Sequence, residues 1–142
     1  MVMNTKIYKQ VHSLAKVLLQ ASQNKDQKKF DKSYAQLQKI CEDHEDSPKD
    51  HPVQWETLAD FTEDLTLAIT LYDKALAKAE AIQANDFCAS IGYSLATLKI
   101  ELGDKPAAIE NLEKAKINCV NSEDKLLKSD VHDLLYKLKK TE

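Results

Sequence analysis

Only five residues of this chain, two glycines and three prolines out of 142, are dedicated turn formers. A chain so poor in them reverses direction rarely, so its regular elements must be long. Apolar spacing shows which kind they are. Ile7, Val11, Leu14 and Leu18 recur at intervals of four and three, one stripe on a helix from about Asn4 to Ser22. Asn24-Lys25-Asp26 interrupts it, and Phe30, Tyr34, Leu37 and Cys41 mark a second helix. Ser47-Pro48 and His51-Pro52 flank a polar linker, with Pro52 suited to the first turn of the next helix. A third, shorter helix carries Val53, Trp55, Leu58, Ala59 and Phe61. The turn Thr62-Glu63-Asp64 leads to a fourth, with Leu65, Ala68, Ile69, Tyr72, Ala75, Leu76 and Ala79.

Asn85-Asp86 offers caps for a fifth helix, striped by Phe87, Ile91, Leu95, Leu98 and Leu102. Gly103 can end it in the left-handed conformation, Asp104 can cap the sixth, and Pro106 fits that helix's first turn. The sixth holds Ala108, Ile109, Leu112, Ala115 and Ile117. After Asn121-Ser122 a seventh carries Leu127, Val131, Leu134, Leu135 and Leu138, and its last turn bears Lys137, Lys139 and Lys140, which suit the negative end of a helix. No strand pattern competes, because the β-branched residues sit singly within helical periods. The expectation is an all-α protein of about seven helices, one domain over 1–142.

Apolar residues at 43% and charged residues at 30% describe a folded domain rather than a disordered one. All 20 basic residues are Lys and the formal net charge is −3. Without the bidentate forks of Arg, and with an acidic balance, a dedicated nucleic-acid binder is not expected. Lys6, Lys9, His12 and Lys16 break the first apolar stretch, so neither a signal peptide nor a membrane span is expected. Cys41, Cys88 and Cys119, odd in number and widely spaced, read as buried free thiols of a cytoplasmic protein.

Internal similarity separates a helical solenoid from a plain bundle. Ala68-Ile69-Thr70-Leu71-Tyr72-Asp73-Lys74-Ala75 and Ala108-Ile109-Glu110-Asn111-Leu112-Glu113-Lys114-Ala115 both read A-I-x-x-[large]-acid-K-A, forty positions apart. Small Ala at either end lets neighbouring helices approach, and the large residue between fills the gap inside a hairpin. This resembles the second helix of a tetratricopeptide (TPR) repeat, while Trp55-Glu56-Thr57-Leu58-Ala59 is similar to the W-x2-L-G of the first helix, and Leu95-Ala96 with Leu102-Gly103-Asp104 to its later portion and turn. Departures are Gly92 in the usual Trp place, Lys99 in the usual Tyr place, and a forty-residue period where about 34 is usual. The resemblance implies a right-handed superhelical stack of antiparallel helix pairs. A degenerate pair spans 4–45, repeats span 52–84 and 86–120, and a capping helix spans 122–140.

Such stacks present a concave face lined mainly by the first helix of each pair. With Trp55 and Leu58 inward, Glu56, Asp60 and Glu63 turn toward that face, and the same logic in the next repeat exposes Ser90, Tyr93 and Thr97. The alternative for all six is ordinary solvated helix surface. The resemblance therefore implies a protein-binding adaptor, its partner another protein of basic character, met by carboxylates at one end and a tyrosine at the other. Similarly small TPR-like proteins include secretion chaperones and immunity proteins that neutralise a toxin. Binding of a chaperone's C-terminal carboxylate, which in the family uses Lys and Asn on this face, is disfavoured by Glu56 and Asp60. A further reading is self-association, a homodimer through the C-terminal helix if Leu127, Leu134 and Leu138 overfill the cap.

Catalytic chemistry is not expected. Cys41-x2-His44 with nearby His51 is a partial metal pattern, but no second pair completes four ligands, so no metal is expected. These residues read instead as a core thiol and surface histidines. His132 beside Ser129, Asp130 and Asp133 cannot form a nucleophile, base and orienter set on one helix. Cys88 lacks a local His, and Gly92 and Gly103 stand alone rather than in a phosphate loop, so no cofactor is expected.

Overall fold

The protein is described by a computed structural model covering residues 4–141. Among these, seven helices and no strand occur: α1 Thr5–Gln23, α2 Gln27–Asp43, α3 Pro52–Asp60, α4 Leu65–Ala81, α5 Asn85–Glu101, α6 Lys105–Asn118 and α7 Lys125–Lys140. The expected all-α class and helix number hold. No helix among the described residues is long and apolar enough to cross a membrane.

Helix starts follow from short polar side chains. Asn4, Asp26, Asp64, Asp104 and Asp124 each accept a hydrogen bond from the backbone N–H three residues on, at 2.9–3.2 Å. That satisfies one of the donors a helix leaves unpaired at its first turn. At α3 the cap is His51, whose Nδ1 accepts from the Val53 N–H at 3.1 Å, and Pro52 occupies the first turn. His51 is buried, which corrects its reading as a surface histidine: the imidazole is turned inward to serve the helix end.

Three turns share one construction. Lys25, Gln83 and Gly103 take left-handed backbone angles, with φ of 55°, 54° and 79°. The next residue in each case donates its N–H back into the helix just ended: Asp26 to Ala21 O (2.8 Å), Ala84 to Ala79 O (2.9 Å) and Asp104 to Lys99 O (2.8 Å). This is the Schellman arrangement. In each turn that same residue is the N-cap of the next helix. Asp26 and Asp104 cap with their side chains; Ala84 has none to offer. Asn85 and Asp86 therefore sit inside the first turn of α5 and are not its caps, because the cap position is fixed by the end of α4.

The chain divides into two compact units, Met1–Leu71 and Tyr72–Glu142, with the border inside α4. In the first, α3 packs against both α1 and α2. Its core holds Ile7, Val11, Leu18, Ala21, Leu37, Cys41, Trp55, Leu58 and Ala59. Each fully buried leucine here contributes roughly 1.5–3 kcal/mol relative to exposure. Polar groups thread this core. Trp55 Nε1 donates to Asp50 Oδ1 at 2.7 Å, the Asp46 N–H donates to Asp50 Oδ2 at 2.8 Å, and Gln54 Nε2 donates to Lys49 O at 2.9 Å. Cys41 Sγ donates to Gln54 O at 3.3 Å, and the Tyr34 and Thr62 hydroxyls are 2.7 Å apart.

In the second unit small residues set the geometry. Ala89, Ala96, Ala108, Leu112, Ala115 and Cys119 form the core with Val131 and Leu135 of α7. A Cβ placed on Gly92 would lie 3.4 Å from both the Ala115 Cβ and the Asn111 carbonyl, so α5 and α6 approach closely at the glycine. Leu127, Leu134 and Leu138 pack partly buried against this core. The motif that repeats in sequence also repeats in burial. Ala68, Tyr72, Ala75 and Ala79 are buried, as are Ala108, Leu112, Ala115 and Cys119 forty positions later.

Candidate functional site

The six residues expected to line a binding face fall into two sets. Glu56 and Asp60 are one turn apart on α3, half-buried and exposed respectively, and exposed Glu63 follows in the turn to α4. Glu63 shares a hollow of about 200 Å³ with Lys25 and Phe30 near the α1–α2 turn. Ser90, Tyr93 and Thr97 lie on α5 and are all half-buried. Tyr93 packs against the core of the second unit, and the Thr97 hydroxyl donates to Ser94 O at 2.7 Å. Both are thus engaged by their own helix and core.

Two grooves run along helix pairs. The larger, about 550 Å³, lies between α1 and α2 over the half-buried Leu14 and Ile40. Its lip carries Lys9, Gln10, Ser13, Gln36 and a Lys39–Asp43 ion pair at 3.0 Å. The second, about 480 Å³, lies between α6 and α7 and is lined by Glu113, Lys116, Ile117, Val120, Leu135 and Lys139. Both volumes fall within the range of binding clefts. They differ in what they show to solvent. In the first the large apolar side chains, Leu14 and Ile40, are half-buried, whereas Ile117 is 73% exposed and Val120 64% exposed.

The helical period explains this exposure. α6 and its C-cap bury Ala108, Leu112, Ala115 and Cys119, and Ile117 lies about half a turn from that stripe. This corrects the expectation that Ile117 belongs to the core of the sixth helix; its position two residues past Ala115 puts it on the opposite face. Leu135 is buried beneath Ile117 and Val120 as the groove floor. Charged groups stand at the ends. Lys139 Nζ pairs with Glu113 at 2.7 Å, and Lys128 Nζ donates to Val120 O at 3.2 Å. Exposed Lys116 stands on the lip. Sequence reasoning misses Ile117 and Val120 as a surface, although the phase of Ile117 against the Ala-Leu-Ala stripe is a usable signal.

The cysteines are built as interior thiols. Burial, helped by the charges of Asp50, Glu42 and Glu45, pushes the Cys41 thiol up to about 12, so it stays protonated. Burial also raises Cys88 and Cys119 above the ordinary thiol range. Burial holds His51 below the usual histidine range, against the pull of Asp50, in keeping with an Nδ1 that must stay unprotonated to cap α3. His132 is exposed on α7. Among the described residues no group of three or more His, Cys, Asp or Glu is placed to hold a metal ion. In comparisons with known proteins, no family model matches the chain, and no curated protein or solved structure gives a significant match.

Proposed function

We propose that this protein is a non-enzymatic, protein-binding module built of TPR-like helical hairpins, and that the α6/α7 groove is where it takes its partner. The observation that carries the reading is the pair Ile117 and Val120, one helical turn apart and largely exposed over a buried leucine. Single exposed apolar residues are ordinary, but adjacent ones over an apolar floor, rimmed by charge, mark an interaction surface. The repeated burial pattern of α4 and α6 supports the TPR-like reading. Burial raises all three thiols, so none has the lowered pKa of a catalytic thiolate, and three free buried cysteines suit the reducing cytoplasm.

The test is site-specific crosslinking. A photoreactive side chain at position 120, in cells that express the protein natively, should give one dominant adduct. The same side chain at Glu80, exposed on α4, should not. The partner so identified, once purified, should bind Ile117→Asp/Val120→Asp at least about tenfold more weakly than the unaltered protein. Equal binding by that variant would remove the groove from the function.

A further inference from the structure

The charge around the α6/α7 groove points to the kind of segment it takes. The chain carries a net −3, yet the groove reverses that sign locally. Its lining carries two ammonium groups, those of Lys116 and Lys139, against the one carboxylate of Glu113, and the Lys128 ammonium stands at its end on the Val120 carbonyl. Glu113 is already paired with Lys139, and Lys128 is anchored on the Val120 carbonyl, where it offsets the negative end of α6. Lys116 forms no ion pair among the described residues.

An occupant must therefore bring apolar groups for the centre and carboxylates for the edges. The stretch from Glu113 on α6 to Val120 just past its end is about 10 Å long, or two helical turns. A helix lying there presents apolar side chains at i, i+3 or i+4, and i+7, the pattern that an apolar trough between two helices accepts. From the proposed groove reading, on which this rests, we infer that the site binds an acidic amphipathic helix of a partner protein. Its apolar stripe covers Ile117, Val120 and Leu135, and its flanking carboxylates meet Lys116, Lys128 and Lys139. An acidic segment gains steering from this rim, while a basic one meets repulsion.

The test uses two designed, fluorescein-labelled peptides of about 15 residues. They share one leucine stripe and differ only in flanking charge, Glu in one and Lys in the other. The acidic peptide should bind the full chain at least about tenfold more tightly than the basic one, and that gap should narrow as salt rises. In Lys116→Glu/Lys128→Glu the preference should shrink or reverse. These lysines are exposed, so folding should persist, and circular dichroism checks it. Amide chemical-shift changes in the unaltered protein with acidic peptide should concentrate on α6 and α7.

If both peptides bind equally, or the basic one binds better, and both depend on Ile117, the acidic assignment is overturned while the groove stands. If neither binds, the acidic-helix assignment is overturned, and the crosslinking result decides whether the groove reading goes with it. If sedimentation shows a dimer that Ile117→Asp disperses, the groove belongs to a second copy and the inference is overturned.

Discussion

The two units of this chain reach stable cores by different chemistry. The first threads hydrogen bonds through its interior: the Asp50 carboxylate serves Trp55 and the Asp46 backbone, and Cys41 donates to the Gln54 carbonyl. It even buries Gln54 Oε1 with no hydrogen-bond partner among the described residues. The second unit relies mainly on fit, with alanines and one glycine bringing α5 and α6 together, a side-chain bond between those two helices from Lys99 Nζ to Asn111 Oδ1 at 2.8 Å, and α7 laid across them. Directional bonds fix register but leave a unit vulnerable when one partner is removed. Close packing tolerates changes of polarity at its margins but not added volume at its centre.

The largest effect should come from breaking the polar thread. Asp50→Ala leaves the Trp55 and Asp46 donors without their carboxylate, and we expect a loss of about 3 kcal/mol in denaturant unfolding. A loss under about 1 kcal/mol would mean that the first unit is apolar in all but appearance. Next comes volume at the seam. Gly92→Val should cost about 2 kcal/mol through overpacking against Ala115 and Asn111. Gly92→Ala should be nearly neutral, since a Cβ at 3.4 Å is tolerated and alanine favours the helix. Equal costs for both would show that the seam is not set by volume.

A third test sharpens the contrast at the helix starts. Those of the first unit are capped by side chains, and α5 is the exception in the second. Ala84→Asp should supply the missing cap and raise stability by about 1 kcal/mol, read as an upward shift in melting temperature. No gain would mean that the shared turn already satisfies the first turn of α5.

The smallest effect should be a difference in pH response. His51 has a folded-state pKa lowered from 6.5, so protonation favours the unfolded form. Its contribution is complete above pH 6.5 and declines as pH falls from there toward the folded value. Hydrogen exchange should show protection at the start of α3 weakening in this window, with no matching loss in the α5–α6 seam. His51→Asn, which can still cap, should flatten that dependence.

Much of this fold is legible in the sequence because it depends on period. The four-and-three spacing locates every helix, and Gly103-Asp104-Lys105-Pro106 gives its turn in full. The turns at Lys25 and Gln83 are harder to read, because neither residue advertises a left-handed backbone; the surrounding hydrogen bonds impose it. Asp50 and His51 look like linker polarity, and only packing shows them buried as partners of Trp55 and Val53. At the candidate site the apolar residues are visible but easily misassigned. Composition groups Ile117 with the core, whereas its angle to Ala115 places it outside. The lysine rim escapes notice because it is assembled from two helices, and Lys128 reaches the groove through a backbone carbonyl.

The three matching turns leave the chain no slack. Where one residue both closes a helix and opens the next, the two helices cannot lengthen, shorten or slide independently, since a single inserted residue would separate the closing role from the opening one. A lineage carrying such joints would change size by whole hairpins, and the places left for gradual drift in length are the Asp43–Pro52, Asp60–Leu65 and Asn118–Lys125 connections, built without that joint.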